Sequence, residues 1–155
     1  MTPNYDNFED HRIKHLEMTQ AVIGRLASSS FLIKGWAVTV AGVFFGFAVN
    51  QSDPALARVS LATTGLFWLL DTYFLRAERL FRVLHDRVRT CAEDVEPFFM
   101  GATAPWFVKE VKAESNTQSS KAASWLKTFG SLTLVLLYGG LVASALIVAS
   151  AIGKG

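Results

Sequence analysis

The 155-residue chain is 51% hydrophobic and only 18% charged, with a mean hydropathy of +0.30 and a formal net charge of +2. Soluble domains carry roughly 25% charged residues, and here the apolar excess is concentrated in three blocks, which argues against a soluble enzyme built on one large core. A charge of +2 is too small for bulk nucleic-acid binding, and the single cysteine, Cys91, excludes an intrachain disulfide.

The chain opens with mixed charges over residues 7–30 and no apolar core beside a cleavage site, so this stretch is not a secretory signal and is expected to be retained. From about Phe8 to Ser30, Ile13, Leu16, Ile23 and Leu26 fall on one side of a helix. That side is expected to pack on the apolar arc of a later helix or on its copy in a neighbour. His11 and His15 share a face at a spacing of four, but no third ligand lies nearby, so no metal site is expected.

Uncharged stretches then locate three spans. Gly35 to Ser52 carries no charge over 18 residues, and Thr128 to Gly153 carries none over 26; at 1.5 Å per residue the second exceeds a hydrocarbon core of roughly 30 Å. Between them, Pro54 to Leu75 is apolar but interrupted by Arg58 and Asp71, leaving only the 12 residues Val59 to Leu70 strictly uncharged. Twelve residues suit a buried soluble helix as well. The turn signal Gln51-Ser52-Asp53-Pro54 nevertheless returns this segment beside the first, and Arg58 can snorkel at the outer interface, so a second span is expected. Of the lysines and arginines, 13 fall before span one or between spans two and three, and only Arg58 and Lys154 fall on the other side. This bias places the N-terminus and the central segment in the cytoplasm and the C-terminus outside. Trp36, Trp68 and Trp125 fall near the cytoplasmic ends, where amphipathic rings prefer the interface.

With the turn centred between Ser52 and Asp53, residues whose numbers total 105 lie at similar depth, and Lys34 and Asp71 form such a pair. Charges inside a bilayer pair or face water, so an intramembrane ion pair is expected between them, against two charges snorkelling separately. Gly42 and Gly46 in span one, and Gly139 with Ala143 and Gly140 with Ser144 in span three, have the small-xxx-small spacing of close helix packing. Three thin helices bury little among themselves, which favours a homo-oligomer; a tetramer is one arrangement that symmetry allows.

Residues 72–96 read as one helix leading out of span two and stopping at Pro97. Tyr73, Phe74, Ala77, Leu80, Phe81, Leu84, Val88 and Ala92 form its apolar arc, opposite Arg76, Arg79, Arg82, Arg87 and Arg89. That basic side reads either as a solvated face laddered by Glu78 and Asp86 or resting on anionic lipid, or as an anion site, since guanidinium forks bind phosphate bidentately. The candidate anion ligands are Arg76, Arg79, Arg82 and Arg87, with Arg25 and Lys14 from the N-terminal helix. Residues 97–107 are aromatic but broken by Pro97, Gly101 and Pro105, and read as a loop at the membrane surface or under a neighbouring subunit. A brief helix over Trp106 to Glu114 and a flexible polar linker over Ser115 to Ser124 follow. No phosphate-binding glycine loop, nucleophile triad, zinc spacing or acid/base carboxylate pair occurs, so neither an enzyme nor a cofactor is expected.

The expected fold is thus an all-α membrane protein: a cytoplasmic amphipathic helix (1–30), a transmembrane hairpin (31–75), a cytoplasmic helical region and linker (76–126) and a third transmembrane helix (127–153).

The run HRIKHLEMTQAVIGRLASSSFLIKGWAVTV, the short hairpin, and FWLLDTYFLRAERLFRVLHDRVR resemble the small membrane effectors of bacterial antiphage operons, of the SLATT and Hailong types, over about residues 9–90. The Lys34-Gly35-Trp36 entry and the Asp71, Arg76 and Arg79 exit match the recurring pattern, whereas span three and residues 97–126 lie outside it. The resemblance implies an oligomeric pore of the inner membrane, controlled by a nucleotide or short oligonucleotide, with an operon-encoded nucleotidyltransferase as partner. The alternative is a non-conducting membrane scaffold that docks a cytoplasmic protein. A small transporter is disfavoured because the hairpin is not repeated and no ionisable residue sits at mid-span.

Overall fold

A computed structural model describes residues 5–90, 96, 98–113 and 117–152, and every regular element among them is helical. The helices are α1 (Tyr5–Gln51), α2 (Pro54–Arg89), α3 (Pro105–Ala113), α4 (Thr117–Ala123), α5 (Trp125–Phe129) and α6 (Leu132–Ile152). Two compact units emerge, one drawn from Met1–Ser28 and Leu75–Ser124, the other from Ser29–Phe74 and Trp125–Gly155. Both α1 and α2 contribute residues to each unit.

α1 runs for 47 residues without interruption, about 70 Å at 1.5 Å per residue. The expected division at Ser30 is not a helix end. No proline interrupts the stretch, and the Ser30 hydroxyl is used inside the second unit. Reversal into α2 takes two residues. Ser52 adopts a left-handed backbone with φ of 51°, and the amide of Asp53 reaches back to the Ala48 carbonyl at 3.2 Å. The Asp53 carboxylate then caps α2 by accepting from the Ala55 amide at 2.8 Å, and Pro54 occupies the first helical position, where no N–H is needed.

In the second unit, the inward side of α1 carries Ser30, Ala37, Ala41 and Ala48, and that of α2 carries Ala57, Ser60, Thr64 and Asp71, all buried. These positions recur at three and four residues, the seam spacing of two packed helices. Ala48 with Ala57 and Ala41 with Thr64 obey the same antiparallel numbering as Lys34 with Asp71. From α6, Leu134, Tyr138 and Ala145 are buried. The outer faces are apolar and exposed, among them Phe31, Trp36, Leu66, Leu136 and Ile147. Two helices are long and apolar enough to cross a membrane, α1 over Glu9–Gln51 and α6 over Leu132–Ile152, and only 17% of the most apolar window in each is buried. The segment of α2 read as a span, interrupted by Arg58 and Asp71, is not established by length and apolarity alone.

The first unit has its own core. Leu80, Leu84 and Val88 of α2 meet Ala102, Phe107, Val108, Val111 and Ala123, with Leu16, Phe81 and Phe99 packed around them. Of the arc read from the sequence, Ala77, Leu80, Leu84 and Val88 are buried and Phe74 and Phe81 partly so, but Tyr73 is exposed, and Glu78, off that arc, is buried; Ala92 lies outside the described residues. The N-terminal part of α1 differs from expectation. Ile13 is 52% exposed, while His15, Thr19 and Ile23, at steps of four, are buried. The buried arc is centred on Thr19 and keeps Ile23, with Leu16 and Leu26 half-buried, so that of the four expected residues only Ile13 is turned outward; hydrogen bonds satisfy the polar groups placed there. His15 Nε2 lies 2.8 Å from the Phe99 carbonyl, and Thr19 Oγ1 lies 3.1 Å from His85 Nδ1. The rings of His11 and His15 both pack on Phe98.

Two further segments depart from the sequence reading. Residues 117–123, expected to be part of a flexible linker, form α4, because Ala122 and Ala123 are buried and α4 packs on α3. Tertiary burial here outweighs the modest propensity of a Thr-Gln-Ser-Ser run. The long C-terminal helix begins at Leu132, and residues 125–129 form the separate α5, parted from it at Gly130 and Ser131.

The left-handed conformation at Ser52 generates a first prediction, since a residue with a Cβ is disfavoured there by about 1 kcal/mol and glycine is not. Ser52→Gly should raise stability by up to that amount and Ser52→Val should lower it, as read by thermal unfolding in detergent.

Candidate functional site: a buried ion pair and a basic helix

The most chemically distinctive place in the second unit is Asp71, which is fully buried. Lys34 Nζ lies 2.7 Å from Asp71 Oδ2 and 2.9 Å from Oδ1. The structure thus brings Lys34 and Asp71 together. Two residues not singled out in the sequence complete the cluster: the Ser30 hydroxyl donates to Oδ1, and the Tyr138 hydroxyl of α6 donates to Oδ2 at 3.1 Å. Ser30 Oγ also accepts from Lys34 Nζ at 2.7 Å. Each carboxylate oxygen therefore has two donors, which is what a desolvated charge requires.

The positions follow from helix geometry. Ser30 and Lys34 are one turn apart on α1 and so reach the same carboxylate. Tyr138 is held by its neighbours: Trp68 stacks on it at 5.8 Å and on Phe129 at 4.3 Å, and the Trp68 indole donates to the Phe129 carbonyl at 3.3 Å. A signal for Tyr138 existed in the sequence, as the only tyrosine in the uncharged stretch from Thr128 to Gly153. A buried phenol in such a stretch seeks a partner.

The glycines expected to mediate helix packing do not do so within the chain. Gly42, Gly46 and Gly140 are exposed, and a Cβ built on any of these or on Gly139 meets nothing within 4 Å. The seam is made by alanines instead. Gly42 follows Ala41 by one residue, a rotation of about 100° that carries it off the contact line.

The basic residues of the first unit have separate partners. Arg76 Nε donates to the Ala123 carbonyl at 3.2 Å. Arg87 pairs with Glu110 at 2.7 Å and sits 5.0 Å from the centre of the Phe107 ring, joining α3 to α2. Arg82 pairs with Glu78 one turn away with its side chain largely exposed, and Arg89 approaches Asp86 at 3.4 Å. Arg79 is half-buried, and desolvation lowers its pKa from the ordinary guanidinium value, with Glu78 opposing and Arg82 reinforcing the shift. On α1, Lys14 pairs with Glu17 at 3.2 Å, and Arg25 is exposed. The six candidate anion ligands are thus spread over several partners. Arg76 and Arg87 are eleven residues apart, about 16 Å along the helix, and each ties another segment to α2. Of the expected ladder the Glu78–Arg82 rung is present, but with Glu78 buried rather than solvated, and Asp86 is approached by Arg89. Among the described residues no group of three or more potential metal ligands occurs.

Comparison with protein-family models, curated proteins and solved structures found no match for the chain.

Removing one partner of a buried ion pair strands the other, typically at 3–5 kcal/mol. Asp71→Ala should therefore destabilise the protein by about 3 kcal/mol, and Tyr138→Phe by about 1–2 kcal/mol. Lys34→Met combined with Asp71→Leu should cost clearly less than the two single changes together. Denaturant unfolding in micelles gives all five values; strict additivity would show that the pair carries no coupling.

Proposed function

We propose that the chain is a subunit of a homo-oligomeric membrane effector of antiphage defence, seated in a bacterial inner membrane, whose pore responds to a nucleotide or short oligonucleotide. In this reading α1, α2 and α6 each supply one span, with the N-terminus and the basic helix in the cytoplasm and the C-terminus in the periplasm. Arg58 then lies at the outer interface, and the Lys34–Asp71 pair lies near the cytoplasmic one.

The observation that carries the reading is that Gly42, Gly46, Gly139 and Gly140 are left without packing partners on apolar helices. Such smooth faces allow close backbone approach in lipid, where dispersion and shape drive association, and a second copy of the chain supplies the matching face. The basic helix supports an anionic ligand. Arg82, Arg25 and Lys14 are exposed to solvent, and Arg87 is held by a carboxylate with which a phosphate would compete. Binding of the ligand by Arg76, Arg79, Arg82 and Arg87 would trade Glu110 for phosphate and loosen α3 from α2. A ligand shifts such an equilibrium only by its differential affinity for the two states. The chain's resemblance over residues 9–90 to effectors encoded beside nucleotidyltransferases supplies the biological setting and that enzyme as the partner.

One observation favours the second reading, a non-conducting scaffold that docks a cytoplasmic partner: Arg76 and Arg87 already serve to hold the first unit together.

Expressing the protein with and without its neighbouring nucleotidyltransferase while following membrane potential separates the two. The effector depolarises cells only when the enzyme is active, and Arg82→Ala with Arg25→Ala weakens the response; unchanged polarisation in every combination leaves the scaffold. Independently, Gly42→Leu with Gly46→Leu should weaken self-association by about tenfold or more, equivalent to about 1.4 kcal/mol, as measured by sedimentation in detergent.

A further inference from the structure

Most hydroxyl side chains on the apolar helices spend their proton on their own backbone. Thr39 donates to the Gly35 carbonyl at 3.0 Å, Thr63 to Val59 at 2.9 Å, Thr72 to Trp68 at 2.7 Å and Ser144 to Gly140 at 2.9 Å. Ser60 and Thr64 behave differently. They are 0% and 1% exposed, and neither hydroxyl oxygen has a hydrogen-bond partner among the described residues. Buried hydroxyls without partners are unfavourable, so two of them one turn apart on the same buried side of one helix require an explanation.

Their surroundings define what could satisfy them. The two lie on the same side of α2 as Ala57 and Asp71, facing the seam. The antiparallel numbering sets Ala41 beside Thr64 and Phe45 beside Ser60, and neither side chain carries a donor or acceptor. α1 is helical throughout, so its amides are already engaged. Arg58, two residues from Ser60, is exposed on another side of α2; on the buried side the nearest charged group is Asp71, seven residues from Thr64, or about 10 Å away, and its own oxygens are occupied by Ser30, Lys34 and Tyr138. With no counter-charge at hand, the guest is neutral. It must be small enough for an alanine-walled seam, and it must both donate and accept. Side chains one turn apart on one face start from Cβ atoms about 5–6 Å apart, a separation that one small molecule bridges by two hydrogen bonds when both hydroxyls lean toward it.

We propose that Ser60 and Thr64 form an internal water site in the second unit, with one water bridging the two hydroxyls in the seam between α1 and α2. Its remaining bonds go to the second lone pairs of helix carbonyls, which intrahelical bonding leaves open. The inference rests on the packing of a single chain and does not depend on the effector reading.

Water-edited solid-state NMR on the protein in lipid bilayers tests it. Magnetisation from water should reach Ser60 and Thr64 but not Ala37 and Ala48, which are buried to the same degree, lie farther along the seam and carry no hydroxyl. Thr64→Val, which keeps the side-chain shape, should abolish the transfer at Ser60 as well, because the water loses one of its two anchors, and should lower the melting temperature. Absence of transfer at both hydroxyls in the unaltered protein overturns the proposal. A Thr64→Val protein that melts higher than the parent also overturns it, because that result means the hydroxyl was buried without compensation. If membrane polarisation fails to respond in cells while the water signal is present, only the effector reading falls.

Discussion

The ion pair between Lys34 and Asp71 is the interaction on which the second unit depends. A carboxylate removed from water is tolerated only with a counter-charge and with its lone pairs occupied, and Asp71 obtains both from α1 and α6. That requirement allows little freedom in register. Sliding α2 by one residue along α1 would withdraw Asp71 from Lys34 and from Ser30 together, and would turn Ala57, Ser60 and Thr64 away from the alanines opposite. The tyrosine adds a third helix to the same constraint, and the stack of Phe129, Trp68 and Tyr138 holds the phenol in place.

Around that point the helices divide their surfaces by size. Alanine, serine and threonine occupy the seam, so that α1 and α2 pack closely, while phenylalanine, leucine, valine and tryptophan face outward. Glycine is set one step off the seam, on surfaces that the single chain does not cover. In a soluble protein this distribution would be inverted, with large apolar side chains inside. It is consistent with helices whose surroundings are themselves apolar, the basis on which a membrane assembly is proposed.

The first unit follows the opposite logic. Its core is conventional, with Leu80, Leu84, Phe107 and Val111 fully or almost fully buried. Its arginines work at the margins of that core. Arg76 holds the last backbone carbonyl of α4, and Arg87 combines an ion pair to Glu110 with contact to the Phe107 ring. Their long aliphatic stems and planar heads suit this bridging role. A basic helix face can therefore be structural at some positions and open at others, and spacing along the helix does not distinguish them.

Sequence patterning alone was sufficient for the helical class, the hairpin turn at Ser52 and Asp53, the buried arc Ala77–Leu80–Leu84–Val88 and the meeting of Lys34 with Asp71. Each of these depends on local rules, namely periodicity, turn chemistry and the register that a short turn imposes. Only the tertiary structure decided that Ser30 and Tyr138 complete the charge cluster, that alanines rather than glycines make the seam, that His15 and Thr19 displace Ile13 from the buried face, and that residues 117–123 are helical. All four turn on which side of a helix meets a distant segment. A rotation of about 100°, one residue's worth, exchanges an inward position for an outward one, and the energy that selects between them comes from partners far away in the chain.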